Sequence, residues 1–385
     1  METASDKRKD GVQQRPGGPI IRFVRPKVLI VGTYYPEFLA EWYGGDSQLA
    51  DWPYEQQLRR LFATGFGLGD AYSDGLRQHG WEAHEVVCNA DPLQARWALE
   101  HDLTLTGNVH DRRRAAVAGQ VAHLRPDVLL VFEWCPLGDA FLAEIKSRVR
   151  LLTGQISSPL PANRTFAAYD LMISSWRPIV EYFRREGIDS EPLRLAFDQR
   201  VLQELAAGSE KYDVSFVGGF AAVHQDRIAW LERLLANVEI AVFAYGIEAT
   251  AAGSRIRARH HGSVWGRQMY DVLGQSRITL NRHARIDVRG TIDTDVAANM
   301  RLYEATGVGT CLVTDAKRNL SEMFEPGREV VTYADDEECI AQIQYLLDHD
   351  EERRRIAKAG QNRTLREHTY AARMGELSEL LKARL

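Results

Sequence analysis

The sequence is poor in cysteine, has no long hydrophobic run and carries no excess of positive charge. Its four cysteines, Cys88, Cys135, Cys311 and Cys339, are widely separated and stand in apolar or strand-like surroundings. A zinc site of closely spaced thiols is therefore not expected, and we predict reduced, buried thiols. No stretch approaches the roughly 18 apolar residues that a membrane-spanning helix requires. Lys and Arg number 48 against 53 Asp and Glu, a formal net charge of -5, which argues against a dedicated nucleic-acid-binding protein.

The N-terminal segment also lacks the apolar core of a secretory signal. Residues 1–20 are mostly polar or charged and contain glycine and proline. We therefore predict a disordered leader over residues 1–20 and a cytoplasmic protein.

What the sequence does contain is a repeated alternation of short apolar runs and helical patterns. Its 385 residues are enough for about two or three domains. Continuous apolar runs of this length are typical of strands buried on both faces of a parallel sheet. In the first half they predict strands at residues 28–32, 83–88, 127–132, 154–158, 169–175 and 193–197. In the second half they predict strands at residues 213–219, 239–245, 277–281, 310–314 and 329–333.

Helical patterns fill the gaps between these strands, which indicates two doubly wound α/β units in tandem. The patterns cover residues 54–78, 92–101, 111–124, 178–186, 225–235, 267–274 and 298–306, with further helices after residue 336. We predict one Rossmann-like domain over residues 21–200 and a second over residues 201–366. Ligands of such sheets bind beyond the carboxyl ends of the strands, so the cleft between the two domains is the expected site.

The best candidate for phosphate contact is Gly218-Gly219, which follows a predicted strand. Glycines let backbone N–H groups approach an anion at the start of a helix, although the same pair can form a plain tight turn. Arg227, in the helix that follows, could contact either phosphate or solvent. The similar glycine-rich segment at residues 65–69 follows no strand, and we expect it to be a loop between helices.

A second candidate group lies where the predicted helix over residues 298–306 begins. Arg301 stands near the helix N-terminus, where a positive side chain opposes the helix dipole, and an incoming anion would remove that conflict. Asn299 and Glu304 stand on either side of it. The alternative is that Arg301 and Glu304 form a surface ion pair three residues apart.

Other polar and aromatic residues lie beside predicted strand ends. Asn281, Arg282 and His283 follow one strand and form either a ligand-contacting set or a solvated loop. Trp265 could stack on a nucleobase or belong to the core. Asp293-Thr294-Asp295 looks like a metal-binding Asp-x-Asp pair, but its place in a polar loop before a helix favours helix capping. We therefore expect no metal at this pair.

Several segments of the second half resemble one family of glycosyltransferases. These segments are YDVSFVGG at residues 212–219, ITLNRH at 278–283, NMRLYEA at 299–305 and FEPG at 324–327. Together they are similar to the CgeB/YkvP-like transferases, the spore maturation protein type, which have the GT-B fold. The resemblance implies two Rossmann-like domains that face each other across a cleft. It also implies a C-terminal helix over residues 367–385 that crosses back to the N-terminal domain.

The same resemblance implies an activity and a set of residues. The C-terminal domain would bind a nucleotide-diphosphate sugar, with a UDP-sugar as the first choice. The N-terminal domain would bind a glycan, peptide or small-molecule acceptor. No metal cofactor is implied, because helix N-termini and basic side chains such as Arg301 would hold the diphosphate. Glu304 would contact the ribose of the donor. The first acid of the family would fall at Val296, so Asp293 or Asp295 would have to take its role.

A catalytic base is needed only if the reaction inverts the anomeric carbon, and the sequence leaves inversion and retention both open. Glu37 and Glu133 follow predicted strands of the first half and are the main base candidates, with Asp70 and Asp74 as further acids. Each of them could instead be a surface or helix-capping acid. Two other functions stay open, a nucleotide-sugar epimerase of the same fold and a non-catalytic nucleotide-sugar-binding protein.

Overall fold

The computed structural model describes residues 25–133, 135–205, 209–220, 225–284, 287–288, 291–292 and 295–385. The predicted leader over residues 1–20 and Asp293 of the Asp-x-Asp pair lie outside this part of the chain. Two parallel β-sheets form the framework, one from each half of the sequence.

The first half forms a sheet of six parallel strands. The strands are β1 (Lys27–Gly32), β2 (Glu82–Val87), β3 (Val128–Phe132), β4 (Leu151–Gln155), β5 (Leu171–Ser174) and β6 (Ser190–Pro192). They lie side by side in the order β2-β1-β3-β4-β5-β6. The side chains of β1 and β3 are buried on both faces of the sheet, which explains why their sequences are continuously apolar and do not alternate.

Helices cover both faces of this sheet. They are α1 (Pro36–Gly44), α2 (Tyr54–Phe62), α3 (Ala71–Gln78), α4 (Asp91–Glu100), α5 (Val109–Leu124), α6 (Asp139–Ile145) and α7 (Arg177–Arg185). α5 begins with a capping box, in which Asn108 and Asp111 each accept a hydrogen bond from the backbone N–H of the other. α1 and α7 carry proline in the first turn. The backbone N–H groups of a first turn form no hydrogen bond within the helix, so proline costs none there.

The second half forms a sheet of five parallel strands with a short hairpin beside it. The strands are β7 (Tyr212–Gly219), β8 (Ala241–Tyr245), β9 (Ser276–Asn281), the hairpin strands β10 (Asp287–Val288) and β11 (Thr291–Ile292), β12 (Cys311–Asp315) and β13 (Val331–Tyr333). The sheet order is β13-β12-β9-β7-β8.

The helices of the second half flank this sheet and continue to the last residues. They are α8 (Gln225–Leu234), α9 (Arg255–Ala258), α10 (Gly266–Gly274), α11 (Arg301–Val308), α12 (Asp336–Asp348), α13 (Asp350–Glu367) and α14 (Tyr370–Lys382). None of the helices in the described part of the chain is long and apolar enough to cross a membrane.

The two sheets share one topology. In each of them the first strand lies between the second and the third, so the path across the sheet reverses beside the first strand. Doubly wound sheets bind ligands at this switch point, beyond the carboxyl ends of the two strands that flank it. In the second sheet these strands are β7 and β9, which end at Gly219 and Asn281.

The last helix packs on the first half of the chain, against α3. The indole Nε1 of Trp81 donates a hydrogen bond to Ser378 Oγ at 2.9 Å. Gly75 in α3 permits this contact, because a Cβ atom there would lie 2.5 Å from Cγ of Met374. The predicted crossing of the C-terminal helix back to the N-terminal domain is therefore confirmed.

The chain passes between its two halves at two adjacent places. The backbone N–H of Phe197 donates to the carbonyl of His368 at 2.8 Å, and the N–H of Tyr370 donates to the carbonyl of Phe197 at 3.0 Å. Arg200 follows the first crossing and pairs with Asp70 of the first half at 2.8 Å. The two halves are thus joined along one side of the cleft.

The structure differs from the sequence-based expectation in a few elements. The predicted helix over residues 54–78 is two helices, because Gly65, Gly67 and Gly69 adopt positive φ angles of 66°, 63° and 55°. The expected loop at residues 65–69 is therefore present. The predicted strand at residues 193–197 is wrong, since the edge strand β6 lies a few residues earlier and residues 193–197 lead into the crossing. The four cysteines are buried and unpaired, as predicted.

Candidate functional site

The carboxyl edges of the two sheets face each other across a cleft. Several contacts connect the two halves there. Among them are the 5.6 Å ring contact of Tyr35 with Tyr245, the 2.9 Å hydrogen bond from Trp265 Nε1 to Glu41 Oε2, the 2.9 Å bond from the Arg267 amide to the Thr64 carbonyl, and the 3.3 Å bond from Ser175 Oγ to the Ala298 carbonyl. The predicted cleft between the domains is therefore present, and these contacts close it in part.

Gly218 and Gly219 end β7 at the switch point of the second sheet. A Cβ atom on Gly219 would lie 2.1 Å from the Tyr245 ring, and one on Gly218 would lie 3.4 Å from Nη1 of Arg227. Neither glycine has a positive φ angle. Glycine is therefore required by the close approach of Tyr245 to the strand end and not by a strained turn. Residues 221–224, which connect this strand end to α8, lie outside the described residues.

Arg227 connects the two strands that flank the switch point. Its Nη1 donates to the Gly219 carbonyl at 3.0 Å, and its Nη2 donates to the Arg282 carbonyl at 2.9 Å. Its Nε atom is buried without a hydrogen-bond partner. Among the described residues no carboxylate forms an ion pair with it. Burial lowers the pKa of Arg227 to about 10, and the positive charge of Arg301 acts in the same direction.

Arg301 is the first residue of α11 and lies on the same strand end. Its Nη2 donates to the Val217 carbonyl at 3.2 Å, and its Nη1 lies 3.0 Å from Oε2 of Glu304. The ion pair between Arg301 and Glu304 is thus present. It is not a surface pair, however, because the two side chains are only 13% and 10% exposed. Two guanidinium groups therefore lie at the carboxyl end of β7, and one carboxylate, Glu304, pairs with Arg301.

Asn281 serves mainly to position Asn299. Its Nδ2 donates to Thr314 Oγ1 at 2.9 Å, and its Oδ1 accepts from Asn299 Nδ2 at 2.8 Å. The hydroxyl of Tyr333 donates to its carbonyl at 2.9 Å. The Oδ1 atom of Asn299 is buried and has no partner. Of the two amides, Asn299 is therefore the one with capacity for a ligand.

His283 follows β9 and forms a dyad with Asp315, the last residue of β12. Its Nδ1 lies 2.6 Å from Asp315 Oδ1, and its backbone N–H donates to the same oxygen at 3.0 Å. Lys317 Nζ lies 3.1 Å from the other oxygen. Burial would raise the pKa of Asp315, but the hydrogen bond from His283 and the charge of Lys317 hold it below its usual range. Nε2 of His283 is buried without a partner.

Two predicted donor-binding side chains are engaged elsewhere. Arg282 Nη1 lies 3.4 Å from Asp336 Oδ1 at the start of α12. Arg282 therefore contacts Arg227 at the switch point through its backbone carbonyl, while its guanidinium pairs with Asp336. The Trp265 ring stacks on Tyr245 with 5.3 Å between centroids and donates its N–H to Glu41. Its indole is thus part of the contact between the domains, and the prediction of an open platform for a nucleobase is not supported.

The position of the first family acid lies in the core of the other domain. Val296 is buried, and it packs with Tyr169 and Trp176 in the apolar core of the first half. This packing gives a physical reason for valine at this place. Asp295 precedes it and is exposed to solvent, and its carbonyl accepts a hydrogen bond from the Arg318 amide at 3.3 Å.

Glu133 is enclosed by groups of the first half. Its carboxylate accepts a hydrogen bond from the Tyr169 hydroxyl and pairs with Arg164 Nη1 at 2.8 Å. Burial raises the pKa of Glu133 to about 7, although Arg164 acts in the opposite direction. A base must reach the acceptor hydroxyl directly or through one water. With its side chain fully buried between these partners, Glu133 is poorly suited to that role.

Glu37 lies on the side of the cleft that faces the second sheet. It is exposed in the first turn of α1, two residues after Tyr35, whose ring touches Tyr245. Burial raises the pKa of Tyr35, and Tyr245, Glu304 and Glu37 all add to that increase. Glu37 and Glu304 therefore approach the same aromatic ring from opposite domains.

A cavity of about 290 Å³ opens between the halves, and Glu204 is among the residues that line it. The loop at residues 65–70, the crossing segment near Arg200, and Arg267 and Tyr270 of α10 line it. Burial raises the pKa of Tyr270, and the charge of Glu304 adds to this increase. Asp70 lines the same cavity and pairs with Arg200. Asp74 lies 3.6 Å from the same arginine.

Sequence reasoning missed Asp315, Tyr245 and Glu41. Asp315 and Tyr245 end strands of the second sheet, so the rule that ligands bind at carboxyl ends of strands points to both of them. Glu41 has no such signal, because its role depends on how the two domains meet. Among the described residues no three His, Cys, Asp or Glu side chains are grouped closely enough to hold a metal ion.

Comparison with known proteins agrees with this geometry. Residues 200–379 match the model of a family described as glycosyl transferase-like, and this segment contains the whole second sheet. No curated protein is similar enough in sequence to serve as a relative. Several solved structures share the fold, however. A glycosyltransferase from Rickettsia africae aligns with a TM-score of 0.59 and 9% identity over 94% of this chain and 99% of that chain.

Two further structures align over almost their whole length. Sucrose-phosphate synthase from Thermosynechococcus elongatus has a TM-score of 0.56 and 12% identity over 94% of this chain and 100% of its own. HepE from Anabaena, in complex with UDP-glucose, has a TM-score of 0.56 and 10% identity over 93% of this chain and 99% of its own. The fold is GT-B. The predicted fold class of two facing Rossmann-like domains is therefore confirmed, and the family match together with this fold supports a glycosyltransferase.

Proposed function

We propose that this protein is a metal-independent glycosyltransferase of the CgeB-like type, which moves a sugar from a nucleotide-diphosphate donor to a glycan, peptide or small-molecule acceptor. One observation carries the proposal. Arg227 lies at the switch point of the second sheet with an unpartnered Nε and without a carboxylate partner among the described residues, and Arg301 lies beside it. A buried cation without a counter-ion is costly, so an anion is the expected ligand.

The diphosphate of a nucleotide sugar matches this site in charge and size. During transfer the bond from the anomeric carbon to the leaving diphosphate breaks, and negative charge builds up on the diphosphate. Arg227 and Arg301 are held in place by backbone carbonyls of β7 and β9. They would stabilise that charge without reorganisation, which is the task that a metal ion performs in other transferases.

The remaining donor contacts follow from the family resemblance. Glu304 would accept hydrogen bonds from the ribose, and its present pairing with Arg301 keeps its carboxylate oriented at the strand end. UDP is our first choice of nucleotide, because HepE of the same fold was solved with UDP-glucose. The 290 Å³ cavity between the halves is our candidate for acceptor entry, and Glu37 is our candidate base if the reaction inverts.

Two other functions are compatible with the fold. The family pattern has an acid where this chain has Val296, and the absence of that acid favours a non-catalytic nucleotide-sugar-binding protein. An epimerase would need no acceptor. Incubation with donor alone, and then with donor and a panel of acceptors, separates the three. An epimerase yields an isomerised sugar from donor alone, a transferase yields donor hydrolysis or, with an acceptor, transfer, and a binding protein yields none of these.

Binding of donor without metal tests the proposal directly. We would measure the melting temperature and the binding heat of the full chain with UDP and UDP-sugars, in EDTA and then with Mg²⁺ or Mn²⁺. A ligand present at 100 times its Kd stabilises the folded state by about 2.7 kcal/mol. We expect stabilisation in EDTA by at least one nucleoside diphosphate. Stabilisation only with the metal would contradict the metal-independent mechanism, and no binding under any condition would contradict the donor site.

A further inference from the structure

The His283–Asp315 dyad has a free acceptor atom next to the proposed diphosphate site. The His283 side chain is only 4% exposed, and its buried Nε2 has no hydrogen-bond partner among the residues that the structure describes. Buried polar atoms almost always have a partner, so an exception points to a bound water, a ligand or a functional group. Neither the diphosphate contacts nor the core packing described above uses this atom.

The hydrogen bonds of the dyad determine which proton His283 carries. Asp315 accepts two hydrogen bonds from His283 and pairs with Lys317, as expected of an ionised carboxylate. An ionised carboxylate can only accept, so Nδ1 of the imidazole carries the proton. In the neutral imidazole with its proton on Nδ1, the other ring nitrogen is the hydrogen-bond acceptor. Nε2 therefore presents a lone pair, which suits a hydroxyl group and not a phosphate oxygen.

The order of strands places this lone pair at one end of the proposed donor. Arg227 and Arg301 contact the carbonyls of β7 and of the residue after β9. The aromatic contact of Tyr245 with Trp265 lies at the end of β8. The dyad joins the end of β9 to the end of β12. Neighbouring strands are about 4.8 Å apart. A diphosphate held at β7 and β9 thus has one of its two ends towards β8 and the other towards β12, where the dyad lies.

We propose that His283 Nε2 accepts a hydrogen bond from a hydroxyl group of the transferred sugar, and that Asp315 is the positioning residue that keeps this nitrogen unprotonated. This inference rests on the proposed donor site. It assigns the sugar contact that the family pattern would give to an acid at Val296, a position that here belongs to the core of the other domain. His283 would thereby select among donors that carry the same nucleotide.

The test compares binding of UDP with binding of UDP-glucose, UDP-galactose and UDP-N-acetylglucosamine to the full chain by calorimetry. His283→Phe keeps the ring size and removes the acceptor, whereas His283→Gln retains an acceptor oxygen near the position of Nε2. A single neutral hydrogen bond contributes about 0.5–1.5 kcal/mol, which corresponds to about 3- to 10-fold in affinity. We expect His283→Phe to lose that factor for the preferred UDP-sugar, with the Kd for UDP unchanged within about twofold, and His283→Gln to recover part of it.

The positioning role of Asp315 needs a readout that a structural role would not change. We would use UDP-glucose analogues in which fluorine replaces one hydroxyl at a time, since fluorine cannot donate. For one hydroxyl of the sugar, replacement by fluorine should lower the affinity of the wild type. The same replacement should cause no further loss of affinity in His283→Phe or in Asp315→Asn. Lys317→Met is the control, because it removes the other partner of Asp315 and should keep the wild-type pattern.

The possible outcomes separate this inference from the proposed function. If the wild type does not bind UDP, the donor site itself is wrong. If it binds UDP but gains nothing from any sugar, or if His283→Phe and His283→Gln both keep the full sugar preference, the inference about His283 is overturned. If the fluorinated analogues lose the same affinity in the wild type and in both variants, Nε2 holds only a water molecule.

Discussion

Trp265 donates its indole N–H to the carboxylate of Glu41 at 2.9 Å, across the cleft between the two domains. This bond joins the loop before α10 to α1, and the Trp265 ring also lies in T-shaped contact with Tyr35 and Phe38. We infer that the hydrogen bond stabilises the closed arrangement of the domains.

Glu41→Ala should therefore weaken closure without unfolding either domain. The bond is partly exposed, so we expect a loss of at most about 1 kcal/mol in the free energy of unfolding. Donor affinity should change more than stability does, because the closed arrangement brings both domains to the ligand. Calorimetric Kd values and the radius of gyration from X-ray scattering would measure the two effects. Glu239→Ala, which removes an exposed ion pair within the second domain, is the control.

Arg301 and Glu304 provide the sharpest test of the donor site. Loss of a preorganised charge contact to the leaving group typically lowers kcat by about 10²- to 10³-fold. We expect Arg301→Ala and Glu304→Ala to lose sugar transfer on this scale, or donor hydrolysis where no acceptor is known, with circular dichroism unchanged. Arg328→Ala is a matched control, since Arg328 and Glu325 form the same i,i+3 pair on the surface. Near-normal turnover in both site variants would show that the donor binds elsewhere.

The sequence could predict the strand ends of the second sheet because continuous apolar runs and terminal glycines depend only on local patterns. Most of the predicted donor-binding residues therefore lie at one edge of that sheet, as expected. They are Gly218, Gly219, Arg227, Asn299, Arg301 and Glu304. Which side chain faces the ligand depends on tertiary partners. Arg282 turns to Asp336, and Asn281 is held by Thr314. Neither partner is near in sequence, so no local pattern could identify these pairs.

The same limit applies to the first domain. Glu133 follows a clear strand, but its enclosure by Tyr169 and Arg164 depends on the loop after β4. Trp265 contacts Glu41 of the other domain. The sequence around Trp265 carries no information about that distant partner. The short helices α1 and α6, of 9 and 7 residues, were not predicted. The two tandem α/β units were predictable from the alternation of strands and helices, and the GT-B arrangement was implied by the family resemblance.

Gly219 should tolerate no larger side chain while Tyr245 keeps its place. A Cβ atom there would lie 2.1–2.5 Å from three atoms of the Tyr245 ring, and overpacking of this kind costs about 1–3 kcal/mol. We expect Gly219→Ala to lower the melting temperature and to weaken donor binding, because it displaces Tyr245 from the cleft.

A second substitution tests whether the Tyr245 ring is the cause. Gly219→Ala combined with Tyr245→Ala should recover most of the lost stability, since the clash is removed. Gly253→Ala is the matched control, because a Cβ atom added at Gly253 would meet nothing within 4 Å. If Gly219→Ala is as stable as Gly253→Ala, the close approach of Tyr245 is not maintained in solution.

Glu133 should affect the pH dependence of stability more than catalysis. Its pKa is raised to about 7 in the folded protein by burial, from about 4.3 in an unfolded chain. The folded state therefore binds this proton more tightly than the unfolded state does. The contribution of Glu133 to stability is fully present below about pH 4 and is lost as the pH rises through 7. Over that range the loss is at most about 4 kcal/mol.

Glu133→Gln removes this titration and should abolish that part of the pH dependence. We would measure the free energy of unfolding by urea denaturation at several pH values between 4.5 and 7.5, for the wild type and for the variant. The difference between them should shift in favour of the variant as the pH rises, whatever their offset at low pH. Transfer or donor hydrolysis should persist in Glu133→Gln. A loss of about 10²-fold or more in kcat, at unchanged stability and donor affinity, would instead make Glu133 the base.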